Sequence, residues 1–124
     1  LEKFVSPTEE RAWFIGLIEG EGSFYVEAGR KSAKPTGVFS LAMSDHDVIA
    51  RARYFLAKWY DVYLNVTTEE GRADHHKRMF RIRTSRMASV DTIISFSYPY
   101  LSEKKQADCD RVLKSFADRS RRVQ

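Results

Sequence analysis

The stretch FIGLIEGEGSF, Phe14 to Phe24, does most to narrow the folds open to this chain. It begins with helical apolar spacing, ends in two glycines interleaved with two glutamates, and passes without a linker into period-two alternation. A helix C-terminus carries partial negative charge, so acids there are unfavourable by roughly several tenths of a kcal/mol. Each helical glycine costs roughly 1 kcal/mol relative to alanine. Something outside the helix has to offset both.

The helix start is equally marked. Ser6-Pro7-Thr8-Glu9 supplies an N-cap serine, a proline at the first helical position and a glutamate three residues after the cap. The spacing predicts a helix from Pro7 to about Glu19 or Gly20, then a strand from Ser23 to Ala28 with Phe24, Val26 and Ala28 on the inner face. Gly29 to Gly37 is polar, basic and broken by Pro35, which predicts a hairpin loop longer than two residues. Val38 to Met43 reads as the second strand, with Phe39, Leu41 and Met43 inward. Ser44-Asp45-His46-Asp47 reads as an N-cap with acids in the first turn of a helix running to about Trp59. Tyr60 to Thr68 and Arg78 to Thr84 alternate again, separated by a polar loop. Met87 to Phe96, stopped by Pro99, and Ser102 to about Asp118 read as two further helices. The predicted order is helix, two strands, helix, two strands, two helices. This is an α+β domain with a four-stranded antiparallel sheet covered by helices, expected as one domain over residues 1–124.

Length and composition bound the rest. The 124 residues, 43% hydrophobic, suffice for one modest core. No run approaches the apolar length of a membrane span and no signal-peptide pattern opens the chain, so a soluble intracellular protein without membrane contact is expected. Cys109 is the single cysteine, which excludes an internal disulfide and reads as a buried helical thiol. His75 and His76 lack partner ligands in the sequence and read as solvated loop; Phe96, Tyr98 and Tyr100 read as core and turn packing. The net charge of +4 arises from 21 basic against 17 acidic residues, an excess too mild to identify a nucleic-acid partner unless the charges are suitably placed.

Within the first helix Ala12, Gly16 and Gly20 recur at i, i+4 and i+8, and the smallest side chains let backbones touch. Two readings stand open: packing against the domain's own neighbouring element, or helix against helix across a two-fold axis, which brings the acids of two helix ends together. In the second case divalent cations would relieve both penalties, provided the acids are ligands.

FIGLIEGEG, Phe14 to Gly22, resembles the LAGLIDADG motif of homing endonucleases: Gly16, Leu17, Ile18, acids at Glu19 and Glu21, and Gly22 match in kind. PYLSEKKQAD, Pro99 to Asp108, resembles the family's lysine-bearing segment, and FSLAMSDHD, Phe39 to Asp47, its second strand and following helix start. The element order is the family's as well. The resemblance implies a site-specific double-strand DNA endonuclease of the intron-encoded kind. A single motif implies the homodimeric branch, with Ala12, Trp13, Gly16, Leu17 and Gly20 at the dimer interface.

By position in the motif, Glu21 is the metal-binding acid and the Gly20 carbonyl the neighbouring ligand, with Glu19 supporting. The implied metal is Mg2+, with Ca2+ or Mn2+ as substitutes, activating water and stabilising the leaving oxygen. Lys104 or Lys105 would stand near the scissile phosphate. The chain departs from the family in two places. Glutamate replaces the commoner aspartate at the second acidic position, and Met43, followed by Ser44 and Asp45, stands where members often carry a glutamine that holds the water.

For reading double-stranded DNA, the outer strand faces are expected to present Tyr25, Glu27, Ser40, Tyr63, Asn65, Thr67, Arg81 and Arg83, a set suited to base edges in the major groove. Arg30, Lys31 and Lys34 in the first hairpin loop suit phosphate contacts. A two-fold dimer would prefer a pseudopalindromic site. Two other functions remain compatible with the sequence: a catalytically idle DNA-binding regulator or RNA maturase of the same fold, and half of a tandem protein.

Overall fold

The computed structural model describes residues 6–29, 34–70 and 77–123, with side chains described as far as residue 119. The elements are α1 (Pro7–Glu21), β1 (Gly22–Glu27), β2 (Thr36–Met43), α2 (His46–Tyr60), β3 (Val66–Glu69), β4 (Met79–Thr84), α3 (Met87–Ser97), a 3-10 turn at Tyr98–Tyr100, and α4 (Glu103–Val123). The chain is therefore α+β, and its strands form one four-stranded antiparallel sheet in the order β1-β2-β4-β3. Among the described residues no helix is long and apolar enough to cross a membrane.

Two compact units divide the chain. The first comprises Leu1–Gly22 and Ser40–Arg83. Its core is Phe14, Ile15 and Ile18 of α1, Leu41 of β2, Ile49, Ala52, Phe55 and Leu56 of α2, and Ile82 of β4. Phe14 stacks on Phe55 with centroids 4.9 Å apart. A polar bond backs this packing: the Trp59 indole N–H donates to the Glu10 carboxylate, itself buried. The Ser6 hydroxyl accepts from the Glu9 amide at 3.2 Å and starts α1 as its sequence predicts. Asp45 is the N-cap of α2, accepting from the Asp47 and Val48 amides at 2.9 and 3.3 Å.

The second strand pair departs from its sequence pattern. A strand from Tyr60 to Thr68 was expected, but α2 continues through Tyr60, Asp61 closes it in the left-handed region at φ 58°, and β3 begins only at Val66. The alternation is real all the same: Val62 and Leu64 are buried while Tyr63 and Asn65 are exposed. The Arg53 guanidinium holds this segment by donating to the Leu64 carbonyl at 2.5 Å. Period two reports which side faces the core, not whether a neighbouring strand is present.

The second unit comprises Ser23–Phe39 and Thr84–Gln124. Phe24 of β1, Val38 and Phe39 of β2, Val90, Ile93 and Ile94 of α3, and Cys109, Val112 and Phe116 of α4 form its core. Val26 and Ala28, expected inward with Phe24, are exposed, and β1 ends at Glu27, before Ala28. Beneath the start of β2, α4 packs so closely that a Cβ on Gly37 would lie 2.6 Å from Val112 Cγ1 and 2.9 Å from the Phe116 ring. Ser102 caps α4, accepting from the Lys105 amide at 3.3 Å.

Two predictions follow from this unit. Gly37→Ala overpacks the α4 contact and should cost about 1–3 kcal/mol, read as a lower midpoint in urea denaturation with an unchanged slope. Burial, helped by the Asp108 and Asp110 charges and opposed by Lys105, pushes the Cys109 thiol up to about 12. The folded chain should resist a thiol reagent at pH 8 that labels the urea-unfolded chain at once. A thiol raised in the folded state stays protonated where the unfolded chain has ionised, so stability should fall as pH climbs from about 9 toward 12.

Candidate active site and DNA interface

The last turn of α1 contains no basic residue, and Glu19 and Glu21 both fall in it. The Gly22 amide still donates to the Ile18 carbonyl, so the carbonyls of Glu19, Gly20 and Glu21 are the ones left without an intrahelical donor. Glu21 is exposed and Glu19 half-buried. Gly22 is buried, with the position of its missing Cβ only 2.8 Å from Ile18 Cβ and 2.9 Å from the Ile18 carbonyl oxygen. Only glycine allows the chain to turn there from helix into strand, which places the Glu21 carboxylate and the Gly20 carbonyl at the head of β1.

The small-residue stripe of α1 is open. Ala12, Gly16 and Gly20 are exposed, with Trp13 and Leu17 half-buried beside them. A Cβ on Gly16 or Gly20 would meet nothing within 4 Å, while the opposite side of the helix carries the buried Phe14, Ile15 and Ile18. Among the described residues, then, nothing packs against Gly16 or Gly20. The Arg51 guanidinium lies over the Trp13 ring, 5.2 Å from its centroid.

Glu21 and Gly20 offer one carboxylate and one carbonyl, hard oxygen donors of the kind magnesium and calcium take. Among the described residues no three histidine, cysteine, aspartate or glutamate side chains gather as a metal site. Lys104 is exposed on the first turn of α4; Lys105 is half-buried, one turn before Cys109. At the end of β2, Met43 is half-buried, Ser44 is exposed, and Asp45 is committed to capping α2.

On the β3–β4 hairpin Thr67 stands opposite Arg81. Arg81 donates from Nε to Glu69 at 2.9 Å and from Nη1 to the Ser40 hydroxyl at 2.6 Å. Ser40, expected on an exposed face, is 3% accessible, which is a correction to its assignment as a DNA contact. Arg81 is half-buried and already bonded within the chain. Thr67, Asn65 and Arg83 are exposed as expected, as are Tyr25 and Glu27. Tyr63 is 73% exposed, yet its hydroxyl donates to Asp61 at 2.5 Å, and that bond and the Asp61 charge hold the phenol above its usual range. Lys34 is half-buried; Arg30, Lys31, His75 and His76 lie outside the described residues.

Sequence reasoning missed Glu69 as the partner that holds Arg81. The signal was present, an acid and an arginine on two strands of one hairpin, but reading it required the register Glu69↔Met79.

No family model matches the sequence, and no curated protein matches it. Its fold, however, is shared with solved structures of LAGLIDADG homing endonucleases. I-CeuI, a group I intron-encoded homing endonuclease complexed with DNA, superposes with a TM-score of 0.71 at 14% identity, over 98% of this chain and 61% of its own. I-CvuI bound to its target in the presence of calcium gives 0.64 at 16% identity, over 87% of this chain and 66% of its own. I-LtrWI bound to target DNA gives 0.66 at 22% identity, over 90% and 39%. The chain spans less than two thirds of the length of each. The chain has the fold of the LAGLIDADG homing endonucleases.

One stability consequence of the acid-terminated helix can be measured without metal. Glu21→Gln removes a carboxylate from the negative end of α1 and should stabilise the chain by roughly 0.3–1 kcal/mol in EDTA, read from urea denaturation. A loss of stability there would show that Glu21 serves the fold.

Proposed function

We propose that the chain is a single endonuclease domain that dimerises through the open face of α1 and cleaves both strands of a long, pseudopalindromic DNA site. The observation that carries this reading is the exposed Ala12, Gly16 and Gly20 stripe running to Gly20 and Glu21. A face of the smallest residues, on a helix whose last turn holds acids and no basic residue, suits a two-fold contact that sets two such ends together. The relatives by fold are complexes with DNA, and I-CvuI was crystallised in magnesium as well as in calcium.

In the proposed mechanism, Glu21 and the Gly20 carbonyl of each chain would hold a divalent cation, magnesium by preference, which would supply a water of lowered pKa and charge stabilisation for the leaving oxygen. Gly22 fixes where the Glu21 carboxylate stands relative to β1. Lys104, exposed on the first turn of α4, offsets the negative charge that builds on the phosphate, with Lys105 set back toward the core. Exposed Tyr25, Glu27, Asn65, Thr67 and Arg83 read base edges, and Arg81 is positioned by Glu69 and Ser40.

One observation favours a second reading. The β2 terminus offers apolar Met43, and Asp45 is occupied by its cap, so a water-holding polar group is left to Ser44. A binding module of the same fold, a DNA-binding regulator or an RNA maturase, would need no such group.

Incubation with a randomised duplex library and magnesium separates the two. Cleaved products with the wild-type chain, lost in Glu21→Gln while duplex binding persists, support the nuclease; binding without cutting in magnesium or manganese supports the module. Gly16→Gln tests the dimer. A Cβ at Gly16 would meet nothing within 4 Å in the chain, so the fold should keep or gain stability, while sedimentation should shift from dimer to monomer. A monomeric wild-type chain would instead favour half of a tandem protein.

A further inference from the structure

Within the second unit, a groove of about 310 Å3 opens between the end of the first hairpin loop and α4. Lys34 forms one side, and Arg111, Lys114 and Arg119 of α4 form the other, with Asp118 among them. The α4 positions follow helical spacing, so they form a basic face beside the apolar face of Cys109, Val112 and Phe116. The cause of the juxtaposition is Gly37. Without a side chain it lets Val112 and Phe116 press against the start of β2, which carries the neighbouring α4 cations up to Lys34 and Pro35.

The charges are not balanced within the chain. Arg111 pairs with Asp108. Lys34, Lys114 and Arg119 have no salt-bridge partner among the described residues, and Asp118 is the only carboxylate on the groove. Cations crowded in this way repel one another until an anion enters. The Ser115 hydroxyl, which donates to the Val112 carbonyl at 2.6 Å, still has lone pairs but no second proton, so recognition here rests on charge.

We infer that Lys34, Lys114 and Arg119 clamp backbone phosphates of duplex DNA, adding a sequence-independent contact from α4 to the one expected of the hairpin loop. This rests on the endonuclease reading and deepens it, because phosphate contacts fix register on the duplex while base contacts specify sequence.

The test needs no target sequence. Binding of the full chain to a random-sequence duplex is measured across a salt series, together with Lys114→Gln/Arg119→Gln, Lys114→Gln alone, and Lys58→Gln on α2 as a control. Each lost phosphate contact should flatten the slope of log K against log salt by roughly 0.9, so the double variant should lose about 1.8 and Lys114→Gln about half of that. Lys58→Gln should leave the slope unchanged, and far-UV circular dichroism should show all variants equally helical. A wild-type slope retained in both α4 variants overturns the clamp and leaves the endonuclease reading standing. Loss of single-stranded RNA binding in the variants with an unchanged duplex slope also overturns it, in favour of an RNA surface. If the wild-type chain binds no duplex at low salt, both readings fall together.

Discussion

The first unit is organised around a helix end that is electrostatically unfavourable. Two carboxylates in a last turn that holds no basic residue, at the negative pole of α1, cost roughly a kcal/mol between them. Against this stand Phe14, Ile15 and Ile18, each contributing about 1.5–3 kcal/mol by burial. The apolar side of the helix outweighs its polar end several-fold. The chain can therefore keep acids where a helix left to itself would carry lysine or arginine, and the same anchoring leaves the glycine side with nothing of its own to touch.

Most of the element order was legible because caps and periodicity agree locally. Ser6, Asp45 and Ser102 each precede a helix, and each accepts the amide bond its position implies. The failures have a common origin in long-range geometry. Tyr63 and Asn65 alternate correctly with Val62 and Leu64, but strand pairing begins only at Val66, which no local pattern encodes. Val26 continues the inward parity of Phe24 in sequence but is exposed. Ser40 lies on the expected face, yet a guanidinium from β4 covers it. For Ser40 the decisive neighbour lies 41 residues away in sequence, where no local pattern could announce it.

The arrangement of arginines and lysines also shows why net charge was a poor guide. Arg53 and Arg81 act largely as struts, bonded to Leu64 in one case and to Glu69 and Ser40 in the other. Arg51 lies over Trp13, and Lys58 lies over Tyr54 and Trp59. Several of the 21 basic residues are thus architectural, while Lys34, Lys114 and Arg119 line one groove. A total of +4 averages over these different roles.

The absence of any connecting residue between α1 and β1 has an evolutionary consequence. Glu21 ends the helix and Gly22 begins the strand, so helix phase and strand parity are geared to each other. Adding or deleting one residue at that seam would turn every later β1 side chain to the opposite face, moving Phe24 into solvent and Tyr25 into the core. Exposed positions such as Ser23 and Tyr25 are free to drift toward new partners by point substitution. The seam itself is closed to length variation, which confines diversification along this strand to changes of chemistry at constant spacing.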